Sequence, residues 1–95
     1  MKKNVKAVSY SFVIADLFHY GHLNLLRTAK ENSDYHICGL ISDEVAHLWQ
    51  GVHVCNYYER EEVLKSLDCV DEVIKQNSMD PTENLEQIRR DFPNA

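Results

Sequence analysis

The stretch from Val5 to Leu26 constrains this chain more than any other, because it reads as a strand running straight into a helix. Val5–Ile14 is an apolar run with polar residues interspersed, and from Leu23 the period changes, with Leu23, Leu26 and Ala29 on one helical face. Between the two lie Asp16, His19, Gly21 and His22: an acid, then two histidines three apart with a glycine just before the second. A strand feeding a helix directly sets the helix's free N–H groups at the strand's carboxyl end. There they and the positive end of the helix dipole favour an anion. Two imidazoles at that point can donate hydrogen bonds to charge building up on a phosphate. Gly21 leaves backbone room for close approach. The arrangement suits a nucleotide.

The remainder of the chain repeats the strand–helix alternation. In the first strand Val8, Tyr10, Phe12 and Ile14 share one face and Val5, Ala7 and Val13 the other, so both faces expect cover, the habit of parallel sheets. A helix from Gly21 to Glu31 ends at Asn32-Ser33-Asp34, and Tyr35–Ile41 follows as a buried strand. Ala46 to Cys55 lacks a clean period and reads as a short helix fading into a loop. A helix begins near Asn56, which can cap it with Glu59 in the capping-box position, and carries Val63, Leu64 and Leu67 as its stripe. Val70–Lys75 is a third strand, and Asp80-Pro81 opens a last helix with Leu85, Ile88 and Phe92 inward. The order predicts an α/β, Rossmann-like parallel sheet of three strands with helices on both faces, the first half of such a fold.

At 95 residues the chain makes one domain at most, and a net charge of −5 argues against nucleic acid or an anionic membrane as partner. The same charge repels a triphosphate, so binding calls for local donors and a divalent metal. No run of about 18 apolar residues is present to span a bilayer, and Met1-Lys2-Lys3-Asn4 lacks the apolar stretch of a signal peptide. Cys38, Cys55 and Cys69 are odd in number, widely spaced and without a CxxC pair, which reads as reduced thiols in a cytoplasmic protein.

The residues His19-Tyr20-Gly21-His22, with Asp16 upstream, resemble the HxGH signature of the nucleotidyltransferase superfamily. The resemblance is closest to cytidylyltransferases of the glycerol-3-phosphate type, and Ile41-Ser42-Asp43-Glu44, Tyr58-Glu59-Arg60 and Val70-Asp71-Glu72-Val73-Ile74 extend it at about the family's spacing. It implies that CMP passes from CTP, bound with Mg²⁺, to a small phosphorylated or phosphonylated acceptor, and that pyrophosphate leaves. His19 and His22 are the implied catalytic pair, hydrogen-bonding the α-phosphate and the bridging oxygen. Ile14, Ala15, Asp16, Gly21 and Arg60 join them around the nucleotide, with Arg60 on phosphate, and Asp43 faces the acceptor. The resemblance also implies that these 95 residues are the N-terminal portion of a nucleotidyltransferase domain, in a shortened form of a longer enzyme.

Each assignment has a plainer counterpart. HxxH also describes a chance pair or two ligands of a metal site, and Asp16 either holds the metal-bound triphosphate, orients His19 or serves the turn. Arg60 equally suits a surface pair with Glu59, Glu61 or Glu62, and Asp43 a helix cap. Trp49, Tyr57 and Tyr58 can stack on a base or pack; His36 and Cys38 read as core residues. Two departures stand out: Val13-Ile14-Ala15-Asp16 replaces the family's Gly-Thr/Ser-Phe-Asp, and the loop from Leu48 to Tyr58 has no lysine, only His53 with His47 just before it. The Ala-Asp version is similar to nucleotidyltransferase domains of phosphonate enzymes, which makes an aminoalkylphosphonate an acceptor to test. Rival functions are an adenylyltransferase using ATP and a non-catalytic nucleotide-binding or assembly fragment. An exposed first strand predicts a homodimer through that edge.

Overall fold

The computed structural model describes residues 5–52 and 54–95. Strands β1 (Val8–Val13), β2 (Tyr35–Ile41) and β3 (Glu72–Gln76) alternate with helices α1 (Tyr20–Glu31), α2 (Asp43–Gln50), α3 (Tyr57–Lys65) and α4 (Thr82–Asp91). The sheet is parallel throughout in the order β1-β2-β3, with Val8 opposite Tyr35 and Ile37 opposite Glu72. This is the Rossmann-like α/β arrangement expected from the sequence. Among the described residues β1 pairs on one side only.

The two faces are filled differently. Val13, Cys38 and Leu40 point to the face on which α1 and α3 lie, and they pack with Leu26, Leu64, Tyr57 and Cys69 into the main core. Polar groups on that face are paired, as burial requires. His36 is 0% exposed; its Nδ1 donates to the Cys69 carbonyl at 2.6 Å, which leaves Nε2 to accept from the Ser11 hydroxyl at 2.7 Å. Its backbone N–H bonds Asp71, which in turn pairs with Lys30 at 2.7 Å, so α1, β2 and the approach to β3 are stitched together.

On the opposite face Tyr10 reaches across Gly39 and donates to Gln76 Oε1, and any side chain at Gly39 would collide with the tyrosine hydroxyl. Helix α4 covers this face: Asn84 donates to Tyr10 Oη and to the Lys75 carbonyl, and Phe92 meets Tyr35 with ring centroids 5.4 Å apart. The cover is partial, and a cavity of about 670 Å³ remains between Val8 and Tyr10 of β1 and Leu85, Ile88 and Phe92 of α4.

Strand β1 is shorter than the expected Val5–Ile14, and helix α2, strand β3 and the buried face of α3 also depart from expectation, these three for local reasons. Helix α2 begins at Asp43 rather than Ala46, because Ser42 caps it (Val45 N–H to Ser42 Oγ, 3.3 Å) and Asp43 and Glu44 suit its positive end. Strand β3 begins at Glu72, since the Val70 amide is held in a turn by Leu67. In α3, Val63 is 42% exposed and the buried face is instead Tyr57, Arg60 and Leu64.

Candidate functional site

The β1–α1 turn carries the two histidines, and they cap the helix reciprocally. His19, with extended backbone, is the N-cap; its Nδ1 accepts from the Gly21 amide at 3.0 Å, while His22 Nδ1 accepts from the His19 amide at 3.1 Å. A ring nitrogen that accepts from an amide carries no proton, so each neutral imidazole holds its proton on Nε2. The rings lie 4.1 Å apart, and Phe18 stacks on His22 at 5.3 Å. Burial, and then the neighbouring His19, hold the His22 pKa below its ordinary 6.5. With each Nδ1 committed to a backbone amide, the two rings offer Nε2–H at a helix N-terminus.

Gly21 has a tighter reason than phosphate access. A Cβ there would stand 2.7 Å from His19 Cε1, so the space that a side chain needs is filled by the imidazole. The Gly21 amide likewise goes to His19 rather than outward.

The turn itself is held under strain. Ala15 and Leu17 adopt φ of 57° and 54°, a left-handed conformation that costs roughly 1–2 kcal/mol for each such residue. Between them Asp16 accepts from the Val54 and Cys55 amides, both at 2.8 Å, and so ties the turn to the segment joining α2 and α3.

Arg60 is buried, so it is not a surface pair with Glu59, Glu61 or Glu62. Its side chain is 0% exposed and donates to the carbonyls of Cys55 (3.2 Å), Ile14 (2.7 Å) and Ile41 (2.8 Å) and to Asp43 Oδ1 (2.7 Å). The guanidinium thereby joins the carboxyl ends of β1 and β2 from beneath. Asp43 spends its other oxygen on the Tyr57 amide at 3.1 Å. Its placement joins α2 to α3.

Above this layer a cavity of about 330 Å³ opens at the carboxyl edge of the sheet. Ile14, Ala15, Asp16 and His22 line it, as do Phe12, Ile41, Gln50 and Met79, which the sequence does not place at the site. Gln50 closes α2 and Met79 follows β3; no motif marks either, and only the topology brings them here. Tyr57 is buried beneath Lys75 Nζ, 4.6 Å from its ring centroid, so it packs rather than stacks on a base. Trp49 and Tyr58 are 66% and 72% exposed. His47 is exposed on α2, and His53 lies outside the described residues. Among the described residues no three His, Cys, Asp or Glu side chains converge on a common point.

A parallel α/β sheet whose carboxyl edge bears the N-terminus of a helix capped by two histidines defines a protein of the Rossmann-like class. The cytidylyltransferase-like family profile matches residues 14–93, and the chain belongs to that family. It is 43% identical over 72 residues to the glycerol-3-phosphate cytidylyltransferase of Bacillus spizizenii, covering 76% of this chain and 51% of that one. It is 38% identical over 86 residues to human choline-phosphate cytidylyltransferase A, covering 87% of this chain and 23% of that one. The chain therefore spans about half the length of the bacterial relative. A lipopolysaccharide core biosynthesis protein from Thermoplasma volcanium shares the fold, with a TM-score of 0.81 at 19% identity over 90% of this chain and 70% of that one. No described helix is long and apolar enough to cross a membrane.

Proposed function

We propose that this chain forms the triphosphate-binding part of a cytidylyltransferase, which transfers CMP from CTP to a small phosphorylated or phosphonylated acceptor. An acceptor phosphate or phosphonate oxygen bonds to the α-phosphorus, the bond from that phosphorus to the β-bridging oxygen breaks, and pyrophosphate leaves with the electron pair. What supports this reading above all is the reciprocal histidine cap: it commits both Nδ1 atoms to backbone amides, which leaves the protons on Nε2, and it sets His22 in the lining of the cavity at the sheet edge. Such donors, fixed before the reaction, stabilise the charge that builds on the phosphate oxygens. His19 and His22 need move no proton for this. Mg²⁺, when present with the triphosphate, would neutralise part of its charge. Three free cysteines fit a reducing, cytoplasmic setting.

Calorimetric titration with CTP and, separately, ATP, each with excess Mg²⁺, tests the reading. Heat with CTP that disappears in a His19→Ala/His22→Ala variant supports it; a preference for ATP turns it into adenylyl transfer. No heat with either, from a folded chain, removes nucleotide binding from this part of the molecule.

The open edge of β1 favours one addition, self-association. Its backbone row, unpaired among the described residues, and the neighbouring cavity lined by Val8, Leu85, Ile88 and Arg89 make a surface that a second copy can complete. Size-exclusion chromatography with light scattering would show a dimer, and a clean monomer at high concentration would rule it out.

A further inference from the structure

The bonds around Asp16 and Arg60 close on themselves. Asp16 holds the Cys55 amide at 2.8 Å, Arg60 Nε holds the carbonyl of the same Cys55 at 3.2 Å, and Arg60 Nη1 returns to the Ile14 carbonyl at 2.7 Å, two residues before Asp16. Cys55 is thus gripped by both its backbone groups, and the left-handed Ala15 is enclosed within the ring. Leu17, the other left-handed residue, lies between Asp16 and the His19 cap. Nothing in the local sequence favours that turn, so an outside restraint must keep it.

We propose that Asp16 is a positioning residue: through this ring it makes the segment at Val54 and Cys55 and the turn that seats His19 and His22 move as one unit. A ligand that displaces or orders the segment then shifts the imidazoles, and the imidazoles report back to the segment. The functional value of this coupling rests on the nucleotide reading above, whereas the coupling itself is a property of the chain.

Two measurements test it. In the unaltered protein, native-state hydrogen exchange should give the amides of Val54, Cys55, His19 and Gly21 a common opening equilibrium, because they belong to one cooperative unit. In Asp16→Asn, which loses the charge and turns an amide donor toward a backbone donor, all four should exchange at least about ten-fold faster. Long-range ¹H–¹⁵N spectra should at the same time show His19 and His22 passing from the single Nε2–H tautomer to a mixture. His36, fixed by Ser11 and Cys69, should keep its signals and so certify the fold. Acceleration confined to Val54 and Cys55, with both imidazoles unchanged, would overturn the proposal. So would separate opening equilibria in the unaltered protein, a result that needs no variant. CTP titration stands apart: its failure would sink the nucleotide reading while the exchange and tautomer results still decided the coupling.

Discussion

Replacing Arg60 by methionine separates a buried strut from a phosphate ligand, because the two roles predict opposite outcomes. The side chain is 0% exposed and supplies four hydrogen bonds, three to main-chain carbonyls and one to Asp43. Breaking a buried charged pair by removing one partner costs about 3–5 kcal/mol. Asp43 is 41% exposed, so water takes up part of its charge and the lower end, about 3 kcal/mol, applies. At the usual 0.05–0.15 kcal/mol per residue, a chain of 95 residues has only roughly 5–14 kcal/mol in total. With about 4–8 °C lost per kcal/mol in a domain of this size, the melting temperature should fall by about 12–24 °C. Thermal and urea unfolding followed by far-ultraviolet circular dichroism would measure it. Arg60→Lys should recover little, since one ammonium cannot span four acceptors set by a planar fork. An arginine kept on the surface for phosphate would change stability by no more than about 0.5 kcal/mol when removed. A variant that melts within a few degrees of the unaltered chain, but no longer binds a triphosphate, would refute the strut.

Gly21→Ala drives a methyl into His19 Cε1 and must displace the imidazole; the lost cap should cost about 1 kcal/mol, and calorimetry should show weaker CTP binding. Leu17→Gly should stabilise the chain by about 0.5–1 kcal/mol, since the left-handed penalty exceeds the added entropy of glycine; Leu17 is 62% exposed and gives up little burial, so a lower urea midpoint would contradict the strain. The lowered His22 pKa means that the unfolded chain takes the proton first as pH falls. Its contribution is full above 6.5 and is lost as pH drops from there through the folded value. The urea midpoint should decline across that window and decline less in His22→Gln, with the shift itself read from the ring's proton resonance.

The strands and their order were legible because alternation and turn residues are local signals. The α3 cap was also legible: Asn56 and Glu59 exchange bonds at 2.9 and 2.8 Å as their spacing requires. The same box in α1 is not legible, although His19 and His22 stand at the same separation, because an imidazole Nδ1 is not among the side chains that commonly serve such caps. Arg60 was misplaced for a different reason. Periodicity assigns a buried face to apolar residues, and it put Val63 in the stripe that Arg60 occupies between Tyr57 and Leu64. What makes burial of that charge tolerable is a set of carbonyls at Ile14 and Ile41, 46 and 19 residues away. No window along the chain contains them.

Those carbonyls also bear on the site's electrostatics. Every parallel strand that ends at the carboxyl edge leaves oxygens pointing toward the ligand's side, and a chain of net charge −5 adds to the repulsion of a triphosphate. Arg60 answers the oxygens at the ends of β1 and β2 from below, and Asp43 balances most of its charge at the outer side of that layer. The positive field left at the edge is then that of the α1 terminus and its two Nε2–H groups, concentrated beside the cavity. A buried arginine can in this way influence whether an anion is accepted. Loss of Arg60 should therefore weaken triphosphate binding even under conditions where the variant stays folded, and more steeply at low ionic strength, where unscreened carbonyl oxygens act over a longer range.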